Sequence, residues 1–193
     1  MADELPDLVV LDAAAWRRWL AANHASSAGV WLRLAKKGMN EPTQLRYAEA
    51  LDEALCHGWI DGQVRRFDDA SYRQRFTPRR PRSAWSQNNV ANIERLLGEG
   101  RMTPAGVAAF EAARAAGRLD RAYPGQASIE VPDDLAAALE AKPAARASFA
   151  SLSSQNRYAV LLRIHQAARP QTRAQRVERF VAMLARGETP YPQ

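Results

Sequence analysis

Between Cys56 and Asn89 the chain reads CHGWIDGQVRRFDDASYRQRFTPRRPRSAWSQNN, the densest mixture of arginines, aromatics and short polar side chains in the sequence. Arg65, Arg66, Arg73, Arg75, Arg79, Arg80 and Arg82 are interleaved with Phe67, Tyr72, Phe76 and Trp85. A guanidinium offers a planar fork of donors that matches carboxylate and phosphate oxygens, and it stacks on aromatic faces. Asp61 could serve as a general base, or it could cap a turn or pair with an arginine. Cys56 beside His57 suggests a thiol–imidazole pair, but neighbours on a helix point about 100° apart. A buried, inert thiol is the better reading.

No glycine-rich phosphate loop, metal-ligand spacing or nucleophile elbow appears. A single cysteine excludes an internal disulfide and a thiolate zinc cage. With none of these motifs in the sequence, no cofactor is expected. His24, His57 and His165 lie far apart along the chain, and their spacing does not unite them.

The formal charge of +6 is unevenly spread over the 193 residues. Residues 63–89 carry seven basic and two acidic groups, and residues 143–193 carry eight and two. Basic blocks attract phosphates, nucleic acid or acidic partners. The 24 arginines against three lysines, among many alanines, are also what a GC-rich coding bias produces. Hydrophobic content of 47% and charged content of 25% are ordinary globular values. No apolar run approaches the roughly 20 residues of a membrane span, and the acidic start lacks a signal peptide's positive region. These features predict a cytoplasmic protein without membrane insertion, and they say nothing about oligomeric state.

The periodicity predicts the elements that must position these side chains. Asp12 caps a helix over 13–23 with Trp16, Trp19 and Leu20 on one face. Val30, Leu32 and Leu34 mark one side of a half-buried strand. A helix from Tyr47 to His57 stops at Gly58. Strands over 59–67 and 72–77 flank the turn Asp68-Asp69-Ala70-Ser71. In the second, Tyr72, Gln74 and Phe76 share one face while Arg73, Arg75 and Thr77 share the other. The prolines keep 77–82 extended, and Ser83 or Ser86 caps a helix to Glu99. That helix start, beside arginines, is a ready anion site. Thr103-Pro104 starts a helix that Gly117 stops. After a linker over 118–131 come helices opened by Pro132, Pro143 and Ser153, the last presenting Tyr158, Leu161, Leu162 and His165 on one face. Pro170 breaks the chain. A capping box of Thr172 and Gln175 then starts the final helix.

The fold expected is therefore α+β. A small antiparallel sheet of about three strands packs with helices in a core over 1–117. A linker over 118–131 and a compact helical module over 132–193 follow.

CHGWIDGQ, QRFTPRRPRSAWSQNN and GRMTPAG together resemble the signature run of the YdeI/OmpD-associated, or bacteriocin-protection, family. The tail from Pro132 to Gly187 resembles that family's helical C-terminal module. The resemblance implies protection against bacteriocins or stress and does not imply a known reaction. It marks Trp59, Asp61, Arg75, Thr77, Arg79, Ser83, Trp85, Ser86 and Asn89 as candidate ligand-binding residues. They make a set suited to an anionic or planar ligand. Asp61, Arg75 and Arg79 read equally well as a buried salt-bridge network. Nucleic-acid binding through both basic blocks, and an enzyme using Asp61 as base, are the alternatives.

Overall fold

The computed structural model describes residues 5–192. They form an α+β fold with eight helices and four strands among the described residues. The chain divides into two compact units, residues 1–85 with 89–121, and residues 86–88 with 122–193.

The first unit is built on a sheet of β1 (Asp7–Leu8), β2 (Val30–Ala35), β3 (Trp59–Arg66) and β4 (Ser71–Pro78) in the order β1-β2-β4-β3. The sheet has four strands and is mixed, which corrects the expectation of about three antiparallel ones. β1 runs parallel to β2, anchored where Trp31 N donates to Pro6 O at 2.9 Å. Two residues are too short to show alternation, so β1 exists only through its neighbour. The β3–β4 hairpin forms as expected. Asp68 closes its turn, accepting from Ala70 N, Ser71 N and the Ser71 hydroxyl.

Between Asp61 and Val64 a β-bulge interrupts the β3–β4 ladder. Gly62 and Gln63 together face Arg75 there. The freed Gly62 carbonyl accepts from the buried Gln74 amide at 2.9 Å. This satisfies a polar side chain on the core face, where an unpaired amide would be costly.

That core face carries Val30, Leu32, Leu34 and Phe76. Against it stand α1 (Ala13–Asn23) and α2 (Tyr47–Cys56). Trp16 stacks on Trp19 with centroids 5.2 Å apart, and both meet Trp59 edge-on. Trp16 is fully buried and Trp19 half-buried against it, so the face they share packs on the core. α3 (Gln87–Gly98) begins directly after Ser86, the second of the two expected cap positions, and Ser83 is not its cap. The Ser83 hydroxyl accepts from Arg80 N and its own N–H donates to Arg80 O, which makes a tight turn instead. α4 (Pro104–Ala115) is capped by the Thr103 hydroxyl with Pro104 at its first position, as its sequence predicts.

The second unit packs α5 (Asp133–Glu140), α6 (Pro143–Ala150), α7 (Ser154–His165) and α8 (Pro170–Ala185) around Leu135, Phe149, Val160, Ile164, Phe180 and Leu184. Ser153 caps α7 as expected, but the buried face is Asn156, Ala159, Val160, Leu161 and Ile164, and His165 is exposed. α8 begins at Pro170, so the Thr172–Gln175 capping box is not used. Proline's fixed φ suits the first helical position, and Pro170 opens this helix where it was read as a break. Asn156 clamps the chain end, donating to Tyr191 O at 3.0 Å and accepting from Tyr191 N at 2.9 Å.

Candidate functional site

Alternation along β2 and β4 puts Trp31, Arg33, Arg73 and Arg75 on the face opposite the core. The strand register then sets Arg33, Arg73 and Arg65 directly across from one another, one on each of three adjacent strands. Like charges placed directly opposite destabilise a sheet. The row is relieved in part by carboxylates at its margins. Arg33 pairs with Asp68 at 2.6 Å, and Arg73 pairs with Asp7 at 3.1 Å. Hydrogen bonds from Ser71 and Arg33 hold the Asp68 carboxyl down at about 2.

Arg65 and Arg75 have no carboxylate partner among the described residues, which leaves two surplus positive charges on this face. The Arg65 guanidinium lies 4.5 Å from the Trp31 ring centroid, and Arg73 approaches the same ring at 5.9 Å. Arg33 stacks on Phe67 at 3.7 Å. Trp31 is thereby only 4% exposed, although it points away from the core. The stem of Arg75 crosses the bulge, where a Cβ on Gly62 would lie 3.7 Å from the Arg75 Cβ and Cδ. Its Nε is buried without a hydrogen-bond acceptor among the described residues. The interactions seen on this face come from its own strands, the hairpin loop and β1.

The residues singled out from the sequence do not form one cluster. Trp59 is 1% exposed, and its indole donates to His24 O at 3.1 Å within the core. Asp61 accepts from the Tyr47 hydroxyl at 2.8 Å. Arg75 and Thr77 lie on the arginine face. Arg79 stacks on Trp85 at 3.6 Å, and Trp85 in turn meets Phe110 edge-on. Ser86 bridges to Tyr123 in the second unit, and Asn89 is buried in α3. Asp61 meets the Tyr47 hydroxyl and Arg79 the Trp85 ring, so the contacts seen at these residues lead to different neighbours. Trp31, Arg33, Arg65 and Phe67 were missed as site residues. The available signal was the alternation of Trp31 and Arg33 with Val30, Leu32 and Leu34.

Much of the signature run is structural instead. The Cys56 carbonyl accepts from Thr103 N at 3.0 Å and from the Thr103 hydroxyl at 2.7 Å, which ties the end of α2 to the start of α4. Beside it, the carboxylate of Glu53, only 3% exposed, pairs with Arg17 at 2.6 Å and Arg101 at 2.8 Å. Burial, reinforced by Glu53, pushes the Cys56 thiol up to about 11. Burial also holds His57 below its ordinary value, with His24 adding to the effect. His57 Nδ1 bonds Glu53 O at 2.9 Å, and the His24 and His57 rings stand 5.5 Å apart. Two of the three histidines thus meet in space, an outcome the sequence spacing did not indicate. No cluster of metal-ligating side chains occurs among the described residues, and no described helix is long and apolar enough to cross a membrane.

The fold and this surface define an α+β protein with an arginine-rich sheet face joined to a helical module. Residues 8–109, more than half of the chain, match the family of a domain of unknown function (DUF8412), and the chain belongs to that family. Residues 128–187 match the family described as bacteriocin-protection, YdeI or OmpD-associated. The resemblance to that family therefore holds over the helical tail, whereas the motif run from Cys56 to Gly106 falls within the first match. No curated protein and no solved structure matches the chain.

Proposed function

We propose that this is a binding protein for an extended polyanion, such as the phosphodiester backbone of a single-stranded nucleic acid, read by the arginine face of the sheet. One observation carries the reading: Arg33, Arg73 and Arg65 form a like-charged row across three strands, with Arg65 and Arg75 unmatched by carboxylates among the described residues. Such a row costs stability alone and is relieved by an arriving anion. Arg73 and Arg75 stand two residues apart on one strand, roughly 7 Å, so anionic groups repeating along a chain can each find a guanidinium. Because Arg65 and Arg73 lie over Trp31, base stacking on that ring would require them to move, and backbone contact is favoured over base readout. Thr77 extends the face, and Trp59 supports it from beneath. The description of the C-terminal family suggests, on its name alone, that such binding would act in bacteriocin protection; a role in stress and a cytoplasmic location are part of the same proposal.

The test is the binding of a fluorescent oligothymidylate at rising salt. Three to four neutralised phosphates should weaken affinity about 20- to 50-fold between 50 and 200 mM salt. Arg65→Gln with Arg75→Gln should flatten the log–log slope by about 1.4. A folded double variant with the parental slope would overturn the proposal, as would absence of binding at 50 mM.

A further inference from the structure

Beyond the strand ends, the first unit contains a hollow of about 180 Å³ that the sheet-face reading does not use. Trp85 and, from α4, Ala109 and Ala113 are among its lining residues. Arg79, Arg80 and Arg118 line it, and no carboxylate is among its lining residues. Pocket volumes of about 300–1,000 Å³ are usual for whole small-molecule ligands, so this space suits a group rather than a metabolite. At about 30 Å³ per water in liquid, it holds some six waters' worth of volume.

We infer that this hollow is a binding site for a compact oxyanion, a phosphate free or carried as a phosphomonoester. Arg80 and Arg118, with Arg79 beside them and no carboxylate in the lining, favour an anion, and a planar fork can engage two oxygens at once. Stacking on Trp85 orders the Arg79 fork before a ligand arrives, which lowers the entropic cost of binding. The C-terminal end of α4 lies nearby with its partial negative charge of about half a unit, and three cations outweigh it. Neither Arg80 nor Arg118 makes a side-chain hydrogen bond or ion pair among the described residues, so both are available to turn toward the anion. The surrounding alanines leave room for the ligand and add no competing acceptor.

The experiment is calorimetric titration with inorganic phosphate and with glycerol 3-phosphate, each against chloride at matched ionic strength. The proteins compared are the wild type, Arg80→Gln/Arg118→Gln and Arg65→Gln/Arg75→Gln, each first shown to be folded by circular dichroism. Saturable phosphate binding is expected in the wild type. It should weaken tenfold or more in Arg80→Gln/Arg118→Gln and stay unchanged in Arg65→Gln/Arg75→Gln. Binding of glycerol 3-phosphate as well would identify a carried phosphate as the ligand, and binding of inorganic phosphate alone would identify the free ion. No saturable binding above chloride would overturn the assignment. So would a loss seen in Arg65→Gln/Arg75→Gln instead, which would move the anion to the sheet face. Because oligothymidylate binding and phosphate binding use separate variants, either reading can fail without the other.

Discussion

Gly106→Ala is expected to destabilise the first unit by about 3 kcal/mol, the upper part of the range for overpacking a tight site. A Cβ at this position would lie 2.2 Å from the Cys56 carbonyl oxygen, 2.8 Å from its carbon and 2.8 Å from Met102 Cε. The methionine end can swing away, but the carbonyl cannot. It is held by two hydrogen bonds from Thr103, and the same crossing is tight at Gly58, whose Cβ would stand 3.1 Å from Ala105 O. Relief requires α4 to lift off the end of α2, and the caps of both helices go with it. Gly98, at the end of α3, is the control, since nothing lies within 4 Å of its would-be Cβ. Gly98→Ala should leave stability unchanged or raise it by up to about 1 kcal/mol. Urea denaturation of the two variants reads the contrast directly. A Gly106→Ala midpoint equal to the wild type's would show that this junction is not tight in solution.

Glu53→Gln is expected to cost about 2 kcal/mol at neutral pH and to alter the acid limb of stability. Removing one partner of a fully buried ion pair costs about 3–5 kcal/mol. The figure is discounted here because Arg17 and Arg101 have side chains 57% and 33% exposed and can recover hydration. Burial alone would raise the Glu53 carboxyl, but the hydrogen bonds and charges of Arg17 and Arg101 prevail and leave it below its ordinary 4.5. A carboxyl lowered in the folded state contributes stability that is complete above 4.5 and is lost as pH falls through the folded value. His57 acts in the same direction. Its value is lowered in the fold, so the unfolded chain takes up a proton near 6.5 before the folded one does, and stability begins to decline below that pH. Wild-type melting temperature should therefore fall in two stages on acidification, and Glu53→Gln should retain the first and lose much of the second. An unchanged second stage would assign acid lability to other carboxylates.

The sequence conveyed local features well and long-range ones poorly. Thr103-Pro104 announces its helix because a hydroxyl cap followed by proline satisfies the first turn without distant help. Gly58 and Gly117 mark helix ends because both adopt positive φ, of 74° and 61°. The hairpin is legible because its turn is closed by one local residue, Asp68. β1 was not legible, since two residues acquire strand character only through β2. The role of Pro170 was misjudged because a proline ends one helix and starts another with equal ease, and only the buried stripe from Val177 onward decides which. At the candidate site, the arginines of β4 and their face were read correctly, but their neighbours on β2 and β3 depend on register. Arg33, Arg73 and Arg65 are separated by 40 and 8 positions in sequence and share one row only after the sheet forms. Trp59 of the motif run reads as a site residue but packs in the core against Trp16 and Trp19. Gly58 and Gly106 serve the close crossing of α2 and α4, a contact that no local pattern reveals.

The most direct test of the arginine face is nuclear magnetic resonance of the arginine Nε–H groups while oligothymidylate is added at low salt. Arg75 Nε–H is buried and lacks an acceptor among the described residues, so a phosphate reaching its guanidinium should move that resonance strongly. Saturable shifts are expected at Arg65, Arg73 and Arg75, disappearing together as salt is raised. Shifts confined to the arginines of α8, with Arg65, Arg73 and Arg75 unmoved, would contradict the arginine-face reading and place the polyanion on the helical unit.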